Sequence, residues 1–194
     1  MPHPVKAVLL DFGDTLVQFG PIDHAAAFRE AVRETHALWR RRKRCVPPMW
    51  HYALRQWLAL RFGHAKRRLT GREIDAVELV QRACANVSLT APRSFYEALL
   101  WHWYAPLARR AWLEPGTHRT LARLQASGYR LGIVSNTFVP GFVLDRHLLQ
   151  LGLLRFFPHR IYSANVGQRK PSPAMFHLAC RAVGCLPHEV VMVG

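Results

Sequence analysis

The stretch VKAVLLDFGDTLVQF, residues 5–19, constrains the fold of this chain more than any other. Ala7–Leu10 is an apolar run without polar alternation, the pattern of a strand buried on both faces. Strands of that kind belong to parallel sheets with helices on either side. Asp11 follows at the strand's carboxyl end, and Gly13, Asp14 and Thr15 then break the pattern. Ligands of a doubly wound sheet bind just outside the carboxyl ends of its strands. A carboxylate there, beside a glycine and a hydroxyl, is placed for chemistry. The same residues also suit a polar turn in which Asp caps the next segment.

Gly20-Pro21 ends this segment, and residues 22–110 change character. Phe28, Val32, Thr35 and Trp39 fall on one face of a first helix. Pro47-Pro48 opens a second, with Trp50, Leu54, Trp57 and Leu58 as its apolar stripe. Thr70 and Gly71 precede a third, with Ile74, Val77, Val80 and Cys84 aligned and a capping box from Thr70 to Glu73. Pro92 opens a fourth, with Phe95, Leu99 and Trp103. These stripes predict the core of a small helical bundle.

From residue 111 the rhythm is strand and helix in alternation. A helix after Pro115 carries Leu121 and Leu124 and stops at Gly128. Residues 129–134 predict a strand ending in Ser135-Asn136-Thr137, and a helix runs over 140–151. Residues 160–163 predict a short strand, 166–173 a loop holding Lys170, and 173–183 a helix ended by Gly184. Residues 190–193 are a last apolar strand. The expectation is an α/β fold: a doubly wound, parallel, Rossmann-like sheet with an inserted α-helical domain. Residues 1–20 and 111–194 form the discontinuous core, and 21–110 the insertion.

Asp11, Ser135-Asn136 and Lys170 then stand at one edge of that sheet. They offer a carboxylate nucleophile, a hydroxyl with backbone N–H donors, and a fixed cation. Phosphoryl transfer needs such a set, because it combines in-line attack with stabilisation of spreading negative charge.

Composition narrows the alternatives. The formal charge of +15 suggests an anionic partner. The cations are mostly arginines spread along the chain, and the one dense run, residues 40–44, lies at a helix end where cations favour the dipole. No zinc finger, RNA-recognition signature or basic heptad array accompanies it, so a small anionic substrate is expected and no specific nucleic acid. No apolar run approaches the roughly 20 residues that cross a bilayer, and the amino-terminal segment lacks the features of a signal peptide, so a cytoplasmic protein without a membrane role is expected. Cys45, Cys84, Cys180 and Cys185 form no CxxC pair, and with His177 and His188 poorly spaced for zinc they are expected as buried free thiols.

The motifs LLDFGDTL, LGIVSNT and GQRKPSPAMF resemble the first three motifs of the haloacid dehalogenase superfamily. The linking phrase EPGTHRTLARLQASGYRLGIVSN is similar as well, and the helical insertion resembles that family's C1-type cap. The resemblance covers essentially the whole chain. It implies a phosphatase acting on a small phosphate monoester through an aspartyl-phosphate intermediate. By position, Asp11 is the nucleophile, Ser135, Asn136 and Thr15 hold the phosphoryl group, and Lys170 neutralises charge. Mg²⁺ is then held by the Asp11 carboxylate and the Gly13 carbonyl.

Two departures from the family pattern stand out. The family's phosphatases carry an acid/base aspartate two residues after the nucleophile; here Gly13 has that place and Asp14, the candidate acid/base, comes one later. The sequence also stops at Gly194, before the fourth motif, so a chain truncated in its core is expected. The alternatives are a metal-independent haloacid dehalogenase, which Gly13 permits, and a noncatalytic, truncated member.

Overall fold

The computed structural model describes residues 4–70, 73 and 75–194. In chain order it contains β1 (Ala7–Leu10), α1 (His24–Arg42), α2 (Met49–Thr70), α3 (Ala76–Ala85), α4 (Arg93–Ala108), α5 (Thr117–Ala126), β2 (Arg130–Ser135), α6 (Gly141–Gln150), β3 (His159–Tyr162), α7 (Ser163–Val166), α8 (Pro173–Val183) and β4 (Val190–Val193). The chain divides into two compact units, Met1–Gly20 with Ala111–Gly194, and Pro21–Arg110.

The first unit is a parallel sheet of order β3-β2-β1-β4. Leu10 pairs with Ile133 on one side and with Val193 on the other. The chain moves outward from β1 to β2 and β3, then returns to place β4 on the opposite side of β1. That reversal makes the carboxyl end of β1 a switch point, where a crevice forms. Ala7, Leu9 and Val134 join Met175, Ala179 and Val183 of α8 in one buried cluster. The helical residues of that cluster recur every four positions, one face of α8. Pro173 starts the helix at a position needing no N–H donor, and Gly184, at φ 65°, ends it in the left-handed conformation.

Close packing leaves no room at Gly132 in β2. A Cβ there would lie 2.8 Å from Leu9 Cδ2 and 3.2 Å from the His159 carbonyl oxygen.

The second unit is a helical bundle in which α1 packs on α4 and α2 on α3. Asp23 caps α1 by accepting from Ala26 N at 2.9 Å. Trp39 is wholly buried and meets Phe95 edge-on, ring centroids 4.6 Å apart.

Three expectations need correction here. The stripe Trp50, Leu54 and Trp57 on α2 does not face the core; these side chains are 69%, 45% and 44% exposed. The buried residues of α2 are Tyr52, Gln56 and Gly63. Apolar residues occur all round this helix, so periodicity alone does not choose its buried face. Tyr52 packs edge-on against His36, and Gln56 Nε2 reaches Cys84 Sγ at 3.7 Å. Secondly, Thr70 does not cap α3. It is the last residue of α2, its hydroxyl donating to the Lys66 carbonyl at 2.9 Å, and Asp75 caps α3 by accepting from Glu78 N. Gly71 and Ile74 of the expected third helix lie outside the described residues. Thirdly, Cys45 is exposed, whereas Cys84, Cys180 and Cys185 are buried free thiols. No described helix is long and apolar enough to cross a membrane.

These assignments predict two outcomes in chemical denaturation. Trp50→Ala shifts unfolding free energy by less than about 0.5 kcal/mol, while Tyr52→Ala costs about 3–5 kcal/mol. Gly132→Ala overpacks the sheet and costs about 1–3 kcal/mol.

Candidate active site

Asp11 is the first residue beyond β1, and its N–H donates to the Val193 carbonyl at 2.9 Å, so the sheet ladder fixes its backbone. Asp11 Oδ1 accepts from Phe12 N at 2.7 Å. Asp11 Oδ2 accepts from Lys170 Nζ at 2.5 Å, and the pair is partly exposed. A carboxylate held this way keeps its orientation while remaining partly open to solvent.

Lys170 reaches Asp11 because its own backbone is gripped. Asn136 Oδ1 accepts from Lys170 N at 2.7 Å, and Asn136 Nδ2 donates to the Lys170 carbonyl at 3.0 Å. Lys170 Nζ also donates to the Val134 carbonyl at 3.0 Å. Thus Asn136, expected at the phosphoryl group, uses its side chain to position the cation. Ser135, nearly buried, closes β2 two residues past the one that pairs with Leu10, and so shares the edge.

The turn after Ser135 is itself braced. Ser163 Oγ accepts from Thr137 N and donates to the Thr137 carbonyl, both at 2.8 Å. Ser163 was not visible as a site residue, because its partner lies 26 positions away. Nor was the close approach at Gly194, where a Cβ would lie 2.8 Å from Asp11 Cβ and 3.6 Å from Thr15 Oγ1. Thr15 therefore stands beside Asp11 and Gly194.

Asp14 behaves differently from these residues. It is exposed, its φ is 55°, and its Oδ1 accepts from Phe19 N at 3.4 Å. A Cβ at Gly13 would make an ordinary contact with Phe19 Cε2 at 3.8 Å. Phe12 and Phe19 enclose the imidazole of His147 on α6, with centroids 5.9 and 6.3 Å from it. Burial there pushes the His147 pKa down to about 4. No group of three His, Cys, Asp or Glu side chains stands together among the described residues.

Comparison with known proteins agrees with this architecture. The family model for haloacid dehalogenase-like hydrolases matches residues 5–194, and the chain belongs to that family. A glyceraldehyde 3-phosphate phosphatase of Methanothermobacter thermautotrophicus is 40% identical over 82 residues, covering 41% of this chain and 34% of the relative. A phosphoglycolate phosphatase of Nitrosococcus oceani is 32% identical over 87 residues, covering 45% and 38%. The matched region thus spans little more than a third of the length of these curated relatives. Among solved structures, a 2-haloacid dehalogenase of Pseudomonas syringae superposes with a TM-score of 0.60 at 20% identity, covering 98% of this chain and 77% of that one. An HAD phosphatase of Thermococcus onnurineus gives a TM-score of 0.57 at 24% identity, with 98% and 77% covered. These two likenesses establish the shared α/β fold.

Two predictions follow from the bracing. Asn136→Ala removes both bonds to the Lys170 main chain and lowers unfolding free energy by about 1–3 kcal/mol. Faster amide exchange at Lys170 accompanies it. His147 has a folded pKa below its unfolded value, so the stability it protects is complete above about pH 6.5 and is lost as pH falls through about 4. Over that window the wild type loses up to about 3 kcal/mol more than His147→Phe, measured by urea unfolding at each pH.

Proposed function

We propose that this chain is the catalytic part of a phosphatase acting on a small phosphorylated substrate, with Asp11 as nucleophile. The observation that carries the reading is the Asp11–Lys170 pair, 2.5 Å apart, at the sheet edge shared with Ser135. Asp11 Oδ attacks phosphorus, the bond to the leaving oxygen breaks, and an aspartyl phosphate forms. Water then attacks phosphorus and frees the carboxylate. Lys170 lies against the attacking carboxylate, where it offsets charge as the phosphoryl group approaches. The Ser135 hydroxyl and the N–H groups of the 135–137 turn are the donors for the transferring oxygens, with Thr15 at the flank. The names of the relatives, which are phosphatases at 32% to 40% identity, favour phosphate over halide as the group removed.

A hard cation suits the oxygen donors at this edge. Mg²⁺ is ordinarily held by one or two carboxylates together with substrate phosphate and water. The Asp11 carboxylate and the Gly13 carbonyl are the groups that would hold it, and it would supply charge neutralisation at the phosphoryl group. Residues 1–20 and 111–194 act in this reading as the catalytic core, and the helical residues 21–110 as the cap that selects the substrate.

The test is hydrolysis of 4-nitrophenyl phosphate by the full chain, with and without Mg²⁺. Turnover that depends on Mg²⁺, is abolished in Asp11→Asn and falls about 10²–10³-fold in Lys170→Met is expected. Chloride release from a 2-haloacid without metal, and no phosphate release, would place the chain with the dehalogenases instead.

A further inference from the structure

Residues 40–44 read RRRKR, and the dipole of α1 accounts for only part of that run. Arg40, Arg41 and Arg42 form the last turn of the helix, but Lys43 already has extended backbone and Arg44 lies beyond it. Arg42 sits over the Phe95 ring, 5.1 Å from its centroid. Arg40, Lys43 and Arg44 instead line one cavity of about 390 Å³, whose further wall is Val46, Pro47 and Pro48. His36 shapes it. Its Nε2 donates to the Pro47 carbonyl at 2.9 Å, which ties the segment after α1 back to that helix.

Three cations on one cavity repel one another, and the carboxylates of the helical unit do not relieve them. Residues 21–110 hold seven carboxylates. Asp23 and Asp75 cap α1 and α3. Glu30 and Glu34 pair with Arg110 and Arg109. Glu73 pairs with Arg67, Glu78 with Arg82 and Glu97 with Arg93. Each is thus engaged away from the cavity. Among the described residues of this unit, Arg40, Lys43 and Arg44 are left exposed and without a counter-ion.

We infer that this cavity binds a small polyphosphate, a chain of two or three phosphoryl groups that is either free or carried by a nucleotide. A guanidinium offers phosphate oxygens paired N–H donors, and a lysine adds a point charge. Three converging cations match the several charges of such a chain, where a lone carboxylate would leave most of the repulsion in place. The volume falls within the roughly 300–1,000 Å³ of pockets that hold small molecules. A nucleic-acid strand would need cations along a track, with rings on which bases stack. Here the cations converge, and the wall beside them is valine and proline. The site is built from the helical unit alone and needs no reaction at Asp11.

The experiment is calorimetric titration of the full chain with tripolyphosphate and with ATP, at about 0.15 M salt to screen diffuse charge. EDTA is present, so metal-dependent turnover does not consume the probes. Two triple variants are compared with the wild type. Arg40→Gln/Lys43→Gln/Arg44→Gln alters the cavity, and Arg33→Gln/Arg61→Gln/Arg68→Gln removes the same charge from exposed positions outside it. The expected result is saturable binding whose Kd rises at least about tenfold in the cavity variant and less than about threefold in the other. Tripolyphosphate also raises the Tm of the wild type and not that of the cavity variant. Equal affinity for the two probes assigns recognition to the phosphates, and tighter binding of ATP adds contacts to its nucleoside; both support the site. Equal weakening by the two variants overturns it, because diffuse charge then explains the binding. Absence of saturable binding overturns it too. So does tighter binding of a single-stranded RNA oligonucleotide that depends equally on both sets of cations. Substitutions at exposed positions leave folding nearly unchanged. Should a triple variant be unfolded, Arg44→Gln alone decides, with Kd raised about threefold in support and unchanged in refutation.

Discussion

The carboxyl edge of the sheet turns on one ammonium being kept against one carboxylate. Lys170 and Asp11 are 159 residues apart, and neither would hold the other from solvent alone. An exposed ion pair contributes little, because it must order two side chains against water. Here the ordering comes from the backbone. The sheet ladder fixes Asp11 through Val193, and the side chain of Asn136 fixes the main chain of Lys170. The central place of β1, with β2 and β4 on its two sides, is what allows both grips to reach the same point.

The two units draw on different physics. The sheet unit obtains its order from parallel pairing and from a tightly filled face, in which Leu9, His159 of β3 and Val183 of α8 leave no spare volume at Gly132. The helical unit relies on aromatic packing, with Trp39 between Phe95 and Tyr96, and on caps such as Asp23 and Asp75. Its surface keeps large apolar groups, Trp50 and Phe62 among them.

Much of the sheet unit was legible in the sequence. The runs at Ala7–Leu10 and Val190–Val193 are uniformly apolar and bounded by polar residues, so their extent was fixed by composition. Pro173 and Gly184 marked the two ends of α8. That Asp11 and Lys170 share a sheet edge was expected from the alternation of strands and helices; their contact at 2.5 Å, set by Asn136, was not. The face of α2 was not legible, because its apolar residues surround the helix and only tertiary packing chooses among them. The start of α3 was expected at Thr70 with Glu73, whereas Asp75 makes the cap by accepting from Glu78 N. The side-chain roles of Asn136 and Ser163 depend on partners in another loop, which no local pattern reports.

The paired bonds from Asn136 to Lys170 have a mechanical meaning. They imitate a rung of sheet ladder with a side-chain amide, so the loop after β2 is tied to the loop between α7 and α8. Ser163, the first residue of α7, adds a second tie to the loop after β2 through Thr137. The main chain of Lys170 is then held at a set width from the end of β2. The reach of one asparagine side chain is the gauge that sets that width.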